Sequence, residues 1–205
     1  MGWYEDRVLP RLINKVLDTS QTRQIRERVA SGLSGEVLEI GFGSGLNLPY
    51  LPAAVTGLKA VDPSGGAARL AHDRIEASPI AVEFIGLDGQ QIPLPDSSVD
   101  TVLSTWTLCT IPDAVTAIRE IGRVLRPGGT LHFVEHGRAD EPGVLRWQNR
   151  LNGLQQRLAG GCNLNRDISG IVEAGGLTMR QLDRFYGPGQ PKAFGALYEG
   201  VAAAT

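Results

Sequence analysis

The chain has 205 residues and a formal net charge of −2, from 22 acidic residues against 20 lysines and arginines. This length fits one domain with a substantial core, and the nearly balanced charge argues against a broad nucleic-acid-binding surface. Two cysteines, Cys109 and Cys162, do not make a disulfide framework and fit a reducing cytosol. No apolar run approaches the roughly 20 residues that span a bilayer, and the N-terminus lacks the order of a signal peptide. We therefore expect a cytoplasmic protein without a membrane span.

Residues 1–33 are predicted to form a helical arm. Apolar residues recur at helical spacing in its first half, at Val8, Leu9, Leu12, Ile13, Val16 and Leu17. Ser20 is expected to cap a second helix, which the Ser31-Gly32 pair can end. This pattern favours an arm that packs against the rest of the domain.

A glycine-rich loop follows the first predicted strand. Residues 37–40 are mostly apolar and indicate a short buried strand, and Gly41, Gly43 and Gly45 come next. Alternate glycines let the backbone turn sharply, adopt positive φ and approach a ligand closely. A dinucleotide fingerprint would need glycine at position 46, which is Leu46, so an NAD-dependent oxidoreductase is disfavoured. The pattern E-x-G-x-G-x-G instead resembles the nucleoside-binding loop of the class I S-adenosylmethionine (SAM) methyltransferases.

Acidic residues follow the second and third predicted strands. Asp62 ends the strand 58–62, about 20 positions past the glycine loop, where a carboxylate can accept from both ribose hydroxyls. Its alternative role is to start a turn or cap the next helix. The third strand, 82–85, leads into residues 87–100, which resemble a segment of the ubiquinone/menaquinone-type methyltransferases. That resemblance implies that Asp88 accepts from the adenine amino group and that the N–H of Gly89 meets a ring nitrogen.

Strand and helix patterns alternate through the first two thirds of the chain. The fourth strand is expected at 99–104, followed by a helix that starts at Pro112 or Asp113 and stops at Arg126, before Pro127. The fifth strand, 130–134, ends in Glu135-His136. This alternation is typical of a doubly wound parallel sheet. In such a sheet ligands bind beyond the carboxyl ends of the strands, so the residues singled out above should meet in one crevice.

The last third is predicted to contain two helices and two strands. An apolar stripe indicates a helix with a core-facing side, made by Val144, Trp147, Leu151, Leu154 and Leu158. The segment 160–166 interrupts this pattern, and a further helix is expected at 168–174. Strands are predicted around 177–185 and 194–201.

Several short motifs resemble one branch, the microsomal alkyl-thiol methyltransferases and their bacterial relatives. They are Leu108-Cys109-Thr110-Ile111, Arg123 to Gly129, Glu135-His136, Gly161 to Arg166 and Gly45-Leu46-Asn47. The likeness spans roughly residues 36–202. The N-terminus departs from it, because those enzymes carry an apolar anchor where this chain has polar helices.

The resemblance implies one domain over 1–205, with a seven-stranded, mostly parallel Rossmann-like sheet. Its parts would be the arm 1–33, a cofactor-binding core 36–136 and a segment 137–205 with a substrate-lid helix and the last strands. The implied cofactor is SAM, with Glu39 near its ammonium group and Asn47 near its carboxylate. The implied cofactor-binding residues are Glu39, Gly41, Gly43, Gly45, Asn47, Asp62, Pro63, Asp88, Gly89 and Ser104.

The expected substrate is a small-molecule acceptor, most simply the sulfur of a small apolar thiol. Because the thiolate is the nucleophile, His136 is a candidate base, and a pocket-wall histidine is an equally good interpretation. Cys109 would adjoin it. The expected acceptor pocket comprises Trp3, Tyr4, Trp106, Cys109, His136 and Trp147. We expect no metal and no nucleic-acid partner. The alternatives are an O- or C-methyltransferase of a quinone, phenol or other natural product, and a non-catalytic SAM-binding module.

Overall fold

A computed structural model describes residues 8–204 of the chain. Within this range seven strands form one sheet in the order β3-β2-β1-β4-β5-β7-β6. The strands are β1 Gly35–Ile40, β2 Val55–Val61, β3 Val82–Gly86, β4 Val99–Thr105, β5 Leu125–His136, β6 Thr178–Tyr186 and β7 Ala196–Ala203. The helices are α1 Leu9–Val16, α2 Ser20–Ala30, α3 Gly65–Glu76, α4 Ala114–Val124, α5 Pro142–Leu158, α6 Ile168–Ala174 and α7 Lys192–Gly195, with a 3-10 turn at Leu48–Tyr50. None of these helices is both long and apolar enough to cross a bilayer.

The sheet is parallel from β3 to β5, and β7 runs antiparallel to both of its neighbours. Ile40 pairs with Ser104, and Thr105 pairs with Val134. The carboxyl ends of β1, β4 and β5 therefore lie side by side. This arrangement confirms the predicted seven-stranded, mostly parallel sheet.

The core has two apolar clusters, because successive side chains of a strand point to opposite faces of the sheet. Leu38 and Ile40 belong to the cluster that includes α4 and α6. Val37 belongs to the other cluster, with Ile25 and Val29 of α2. With both faces covered, the inner strands can be apolar at consecutive positions, which is how the first strand reads in the sequence.

Several predicted boundaries differ from the structure: β2 starts at Val55 rather than at 58, and β7 spans Ala196–Ala203 rather than 194–201. Helix α4 ends at Val124 rather than at Arg126, because Leu125 is already extended and pairs with Val99. Strand β5 accordingly starts at Leu125, before the expected position 130.

The cap of α2 is also one residue earlier than expected. Thr19, rather than Ser20, takes this position, since its hydroxyl accepts from the backbone N–H of Thr22. The Thr22 hydroxyl in turn accepts a hydrogen bond from the backbone N–H of Thr19. This reciprocal pair satisfies two N–H groups at the helix start.

The prediction that the α5 stripe faces the core is wrong. Trp147 and Leu154 are each 57% exposed, and the helix contributes no residue to either apolar cluster. Its one buried side chain is Gln148, which accepts from the Ala139 N–H and donates to the Gly137 carbonyl. Helix α5 is therefore held to the segment after β5 by hydrogen bonds, and the apolar side chains of Trp147 and Leu154 point away from the core.

Candidate functional site

A cavity of about 670 Å³ opens at the carboxyl edge of the sheet. Its volume is that of a small-molecule site. Helix α1, the glycine loop, the segments after β2 and β4, the end of β5 and the last turn of α5 all contribute to its lining. The cavity therefore lies where the alternation of strands and helices predicted it.

The glycine loop has the backbone geometry that its residues allow. Gly41, Gly43 and Gly45 have φ of +75°, +58° and +74°, a region that residues with a Cβ rarely adopt. A Cβ on Gly41 would overlap the Thr107 side chain, whereas one on Gly43 would meet no atom closer than 3.9 Å. Gly41 and Gly43 line the cavity. The loop therefore presents bare backbone at the place where a ligand can approach it.

Asp62 is fixed beside this loop. Its two carboxylate oxygens accept from the backbone N–H groups of Gly43 and Ser64, each at 2.7 Å. Burial raises the pKa of Asp62, and these two hydrogen bonds oppose the rise. Asp62 and Pro63 both line the cavity. The predicted turn role and the predicted ligand-facing position of Asp62 are thus compatible.

A buried polar network lies behind the loop. Asn47 accepts from Arg26 Nη1 at 2.7 Å and donates to Glu39 Oε1 at 2.6 Å. Burial lowers the pKa of Arg26 to about 10 and raises that of Glu39 to about 8. Arg26 Nε and Glu39 Oε2 have no hydrogen-bond partner among residues 8–204. One basic and one acidic side chain, both buried, therefore each retain one polar atom without a partner.

Arg26 was not among the residues singled out from the sequence. It lines the cavity, and its guanidinium group lies 4.8 Å from the centre of the Trp106 ring. The available signal was its position on α2, on the face that also carries Ile25 and Val29. A charged residue within an apolar helix face is costly to bury unless it has polar partners.

Other predicted cofactor residues lie outside the cavity lining. Gly45, Glu39, Asn47 and Ser104 do not reach it, and all four are buried. Asp88 is exposed and accepts from the backbone and side chain of Gln90.

Gly89 is also outside the cavity lining and is buried. A Cβ at this position would lie 2.8 Å from the Ile40 side chain and 3.3 Å from that of Ile111. The Gly89 backbone is therefore close to the first strand rather than open to the cavity. The adenine contacts expected of Asp88 and Gly89 remain predictions.

The predicted acceptor residues are also distributed differently. Trp106 and His136 line the cavity, whereas Trp147 lines a separate, smaller one with Arg150 and Lys192. Trp3 and Tyr4 lie outside the described residues. Helix α5 does cover the large cavity, but through Gln155, Leu158 and Ala159 at its end.

Glu135 organises the segment after β4. This fully buried carboxylate accepts from Ser104 Oγ at 2.8 Å, from the Thr107 N–H at 3.0 Å and from the Cys109 N–H at 3.1 Å. Burial raises its pKa, and the three hydrogen bonds act in the opposite direction. Trp106, within this segment, has an uncommon positive φ of +52°. Glu135 thus fixes the backbone that carries Cys109.

Cys109, His136 and Cys162 form one cluster at the cavity wall. The sulfurs of Cys109 and Cys162 are 3.6 Å apart, and His136 Nδ1 lies 3.4 Å from the Cys162 sulfur and 4.0 Å from the Cys109 sulfur. The Cys109 thiol and the nearby His136 lower the pKa of Cys162, whereas that of Cys109 is raised by its contact with Cys162 and by burial. His136 and Cys162 line the cavity, and Cys109 lies behind them.

The segment 161–166 is bound to the segment 108–111. Asn163 donates to the Cys109 carbonyl, and Arg166 Nη1 donates to the carbonyls of Leu108 at 2.7 Å and Ile111 at 2.6 Å. Two motifs that are far apart in the sequence are therefore joined by hydrogen bonds. Their junction is the place where the two cysteines meet.

Helix α1 covers one side of the cavity. Leu12, Ile13 and Val16 line it while remaining between 37% and 56% exposed. Ser44 Oγ donates to Asn14 Oδ1 at 2.6 Å, which ties the helix to the glycine loop. The cover is thus apolar and is connected directly to the loop beneath it.

The amino-acid sequence is similar to those of known methyltransferases. A methyltransferase-domain family matches residues 38–133. Human thiol S-methyltransferase TMT1A is 30% identical over 77% of this chain and 67% of its own length. The phosphatidylethanolamine N-methyltransferase of Cereibacter sphaeroides is 30% identical over 67% of this chain and 70% of its own length. The chain thus spans about two thirds of the length of these curated relatives.

The fold is also that of solved proteins. A SAM-dependent methyltransferase from Aquifex aeolicus superposes with a TM-score of 0.67 at 18% identity. The match covers 96% of this chain and 98% of that protein. At 18% identity this structural match supports only the fold of the chain. The methyltransferase family assignment rests on the sequence matches.

Proposed function

This chain belongs to the SAM-dependent methyltransferases, and on that premise we propose that its acceptor is the sulfur of a small, largely apolar thiol. The observation that carries the proposal is the junction of the segments 108–111 and 161–166 at the cavity wall. Both segments were singled out because they resemble the alkyl-thiol branch, and their contact forms the Cys109–His136–Cys162 cluster. A relative named as a thiol S-methyltransferase supports the same acceptor.

The residues present fit SAM at its amino-acid end. The methionine part of SAM carries one ammonium and one carboxylate group. A carboxylate near Arg26 Nε at the cavity, and an ammonium that reaches Glu39 Oε2 just behind the lining, would supply the partners that these two buried atoms lack. Asn47 is hydrogen-bonded to both side chains and would hold them at a fixed distance from each other.

The nucleoside end fits the glycine loop and Asp62. Gly43 offers open backbone, and the Asp62 carboxylate beside it can accept further hydrogen bonds from ribose hydroxyls. The proposed contacts of Asp88 and Gly89 with adenine rest on motif resemblance alone.

The sulfonium methyl of SAM is itself a strong electrophile, so the protein's task is to align a nucleophile with it and exclude water. Helix α1 and the last turn of α5 cover the cavity with apolar side chains, which suits water exclusion. The acceptor sulfur would lie against His136 and Cys162. His136 Nδ1 faces the two cysteine sulfurs, so in the tautomer that carries hydrogen on Nδ1 the nitrogen that could accept the acceptor's proton is Nε2.

A panel of matched acceptors tests the proposal. Purified protein with SAM would be assayed for S-adenosylhomocysteine formation with an aryl thiol, the phenol of the same skeleton and the corresponding amine. The amine is included because one relative is named as an N-methyltransferase. We expect turnover of the thiol to exceed that of the other two. Efficient turnover of the phenol or the amine, with none of any thiol, would overturn the acceptor and leave the family assignment intact.

A further inference from the structure

We propose that Cys109, Cys162 and His136 form a three-ligand site for one soft divalent cation, best fitted by Zn²⁺, with the fourth position open to the cavity. Whether the protein binds this ion does not depend on which acceptor it methylates. The role we give it, which is to bind and activate the acceptor thiol, rests on the proposed function.

The distances among the three ligand atoms fit a tetrahedral ion. With Zn–S of about 2.3 Å and Zn–N of about 2.0–2.1 Å, tetrahedral angles place two sulfurs about 3.8 Å apart and a sulfur and a nitrogen about 3.6 Å apart. The distance between the Cys109 and Cys162 sulfurs is 3.6 Å, and those from the two sulfurs to His136 Nδ1 are 4.0 and 3.4 Å. Each separation is within about 0.4 Å of the tetrahedral value, so an ion fits with little movement.

The identity of the three atoms points to the same class of metal. Two thiolates and an imidazole nitrogen are ligands that zinc prefers, whereas magnesium and calcium take oxygen ligands. All three side chains come from fixed segments. Cys109 is held by Glu135 and Asn163, and His136 ends a strand that is paired on both sides.

The surrounding charge also favours a cation. Glu135 is fully buried, its backbone partner Cys109 is a proposed ligand, and no ion pair involves it among the described residues. A divalent ion would cancel the charges of the two thiolates and so remove their repulsion with the Glu135 carboxylate. Carboxylates one step behind the ligands are a usual feature of metal sites, because they orient the ligands.

The open position follows from which ligands reach the cavity. His136 and Cys162 line it, and Cys109 lies behind them. An ion held by all three would have its free position on the cavity side, as catalytic zinc sites do. A thiol acceptor could take that position.

The reaction would then need no base from the protein. The acceptor thiol would lose its proton to water in the cavity as its sulfur binds the ion, because coordination to zinc deprotonates a thiol. The thiolate would then form the new S–CH₃ bond as the C–S bond of the sulfonium breaks, which releases S-adenosylhomocysteine. No oxidation or reduction occurs. With Nδ1 on the ion, His136 carries its ring proton on Nε2 and cannot act as a base, which excludes one of the two roles considered from the sequence.

Metal binding is tested on the full-length protein after reduction and dialysis against a chelator. Co²⁺ would be added as a spectroscopic substitute for zinc, and Zn²⁺ content would be measured separately by elemental analysis. We expect one ion per chain, visible bands of tetrahedral intensity, and sulfur-to-cobalt charge transfer in the near ultraviolet. The variants Cys109→Ser, Cys162→Ser and His136→Gln should each weaken binding by at least about 10- to 100-fold. His72→Ala, in an exposed histidine of α3, is the matched control and should bind as the wild type does.

Several outcomes would overturn the site. The first is no cobalt spectrum, and the second is a spectrum that survives in all three variants. Because a variant could fail to fold, circular dichroism would be recorded, and the wild-type cysteines would also be titrated with a thiol reagent. Zinc should protect both of them. A Cys109–Cys162 disulfide that forms equally fast with and without zinc would identify a redox pair in place of a metal site.

A final comparison separates this inference from the proposed function. In the absence of SAM, an acceptor thiol should shift the cobalt spectrum, and the matched phenol should not. If metal-free and zinc-loaded protein methylate the thiol equally fast, the role of the ion is wrong and the thiol acceptor stands. If the ion binds as expected but only phenols are methylated, the proposed function fails and the metal site stands.

Discussion

Asn163 holds the Cys109 carbonyl twice, because its backbone N–H and its side-chain amide both donate to this oxygen at 2.9 Å. The Asn163 side-chain oxygen in turn accepts from Gln156 Nε2 at 2.5 Å. One side chain therefore connects the end of α5 to the segment after β4. The position of Cys109 opposite Cys162 depends on this connection.

Asn163→Ala should destabilise the protein and separate the two cysteines. The substitution leaves the Gln156 amide and part of the Cys109 carbonyl without partners, at a cost of about 1–3 kcal/mol in the free energy of unfolding. Urea unfolding measures this cost. Asn165→Ala, on the same segment, removes an exposed hydrogen bond to Asn149 and should cost less than about 0.5 kcal/mol. Equal costs for the two variants would contradict the connecting role of Asn163.

Asp62→Ala should weaken SAM binding by about 10- to 100-fold. It removes the acceptors proposed for ribose and leaves the N–H groups of Gly43 and Ser64 without their partner. Isothermal titration calorimetry with SAM gives the affinity directly. Asp73→Ala, at an exposed position of α3, is the control and should bind normally. Unchanged SAM affinity in Asp62→Ala would place the ribose elsewhere.

The buried Glu39 should make the ligand-free protein less stable as pH rises. Its pKa is raised from 4.5 to about 8 in the folded state, so between these values the unfolded chain ionises Glu39 while the folded protein keeps it protonated. The folded state then binds more protons, and the free energy of unfolding falls with pH, by at most about 1.4 kcal/mol per unit for one group.

Glu39→Gln tests this assignment, because the amide cannot ionise and should flatten the slope. The measurement is urea unfolding across the pH range, with Glu27→Gln, at an exposed position of α2, as the control that keeps the wild-type slope. SAM binding near neutral pH should also release a proton, since an ammonium beside Glu39 favours its ionised form. Calorimetry in buffers of different ionisation enthalpy detects that proton. An unchanged slope in Glu39→Gln would mean that another group dominates the titration.

Deleting residues 1–18 should lower turnover more than it weakens SAM binding. The deletion removes the apolar cover that α1 provides over the cavity. It also breaks the hydrogen bond from Ser44 to Asn14, which ties α1 to the glycine loop. That bond alone is worth about 1 kcal/mol, or less than about tenfold in SAM affinity. Asn14→Ala removes this bond, together with a longer one from Arg74 at 3.3 Å, while α1 stays in place, and it should leave the acceptor KM unchanged. Equal losses of turnover and SAM affinity in the deletion would identify α1 as a cofactor clamp.

The sheet could be predicted from the sequence because its signals are local. The first strand, the glycine loop and the position of Asp62 each follow from short runs of residue types, and parallel topology then brings their ends together. The boundary at Leu125 could not be predicted in this way. It depends on pairing with Val99, a contact between segments that are distant in the sequence.

The site was only partly predictable for the same reason. The contact between Cys109 and Cys162 depends on how Asn163 and Arg166 bind the segment after β4, and no local pattern encodes that distance. The apolar stripe of α5 was misinterpreted because helical periodicity identifies an apolar face without saying whether the sheet is beneath it.

Strand β7 lies between β5 and β6, although it follows both in the chain. During synthesis β1 to β5 can therefore pair with one another well before the outer edge of β5 has a neighbour. His136 pairs with Leu197 only once α5, α6 and β6 have been made. A growing chain on the ribosome thus has the strands of its cofactor half in place while the acceptor wall still ends in an open strand edge. Until β7 arrives, that edge is open to wrong pairing and to capture by chaperones.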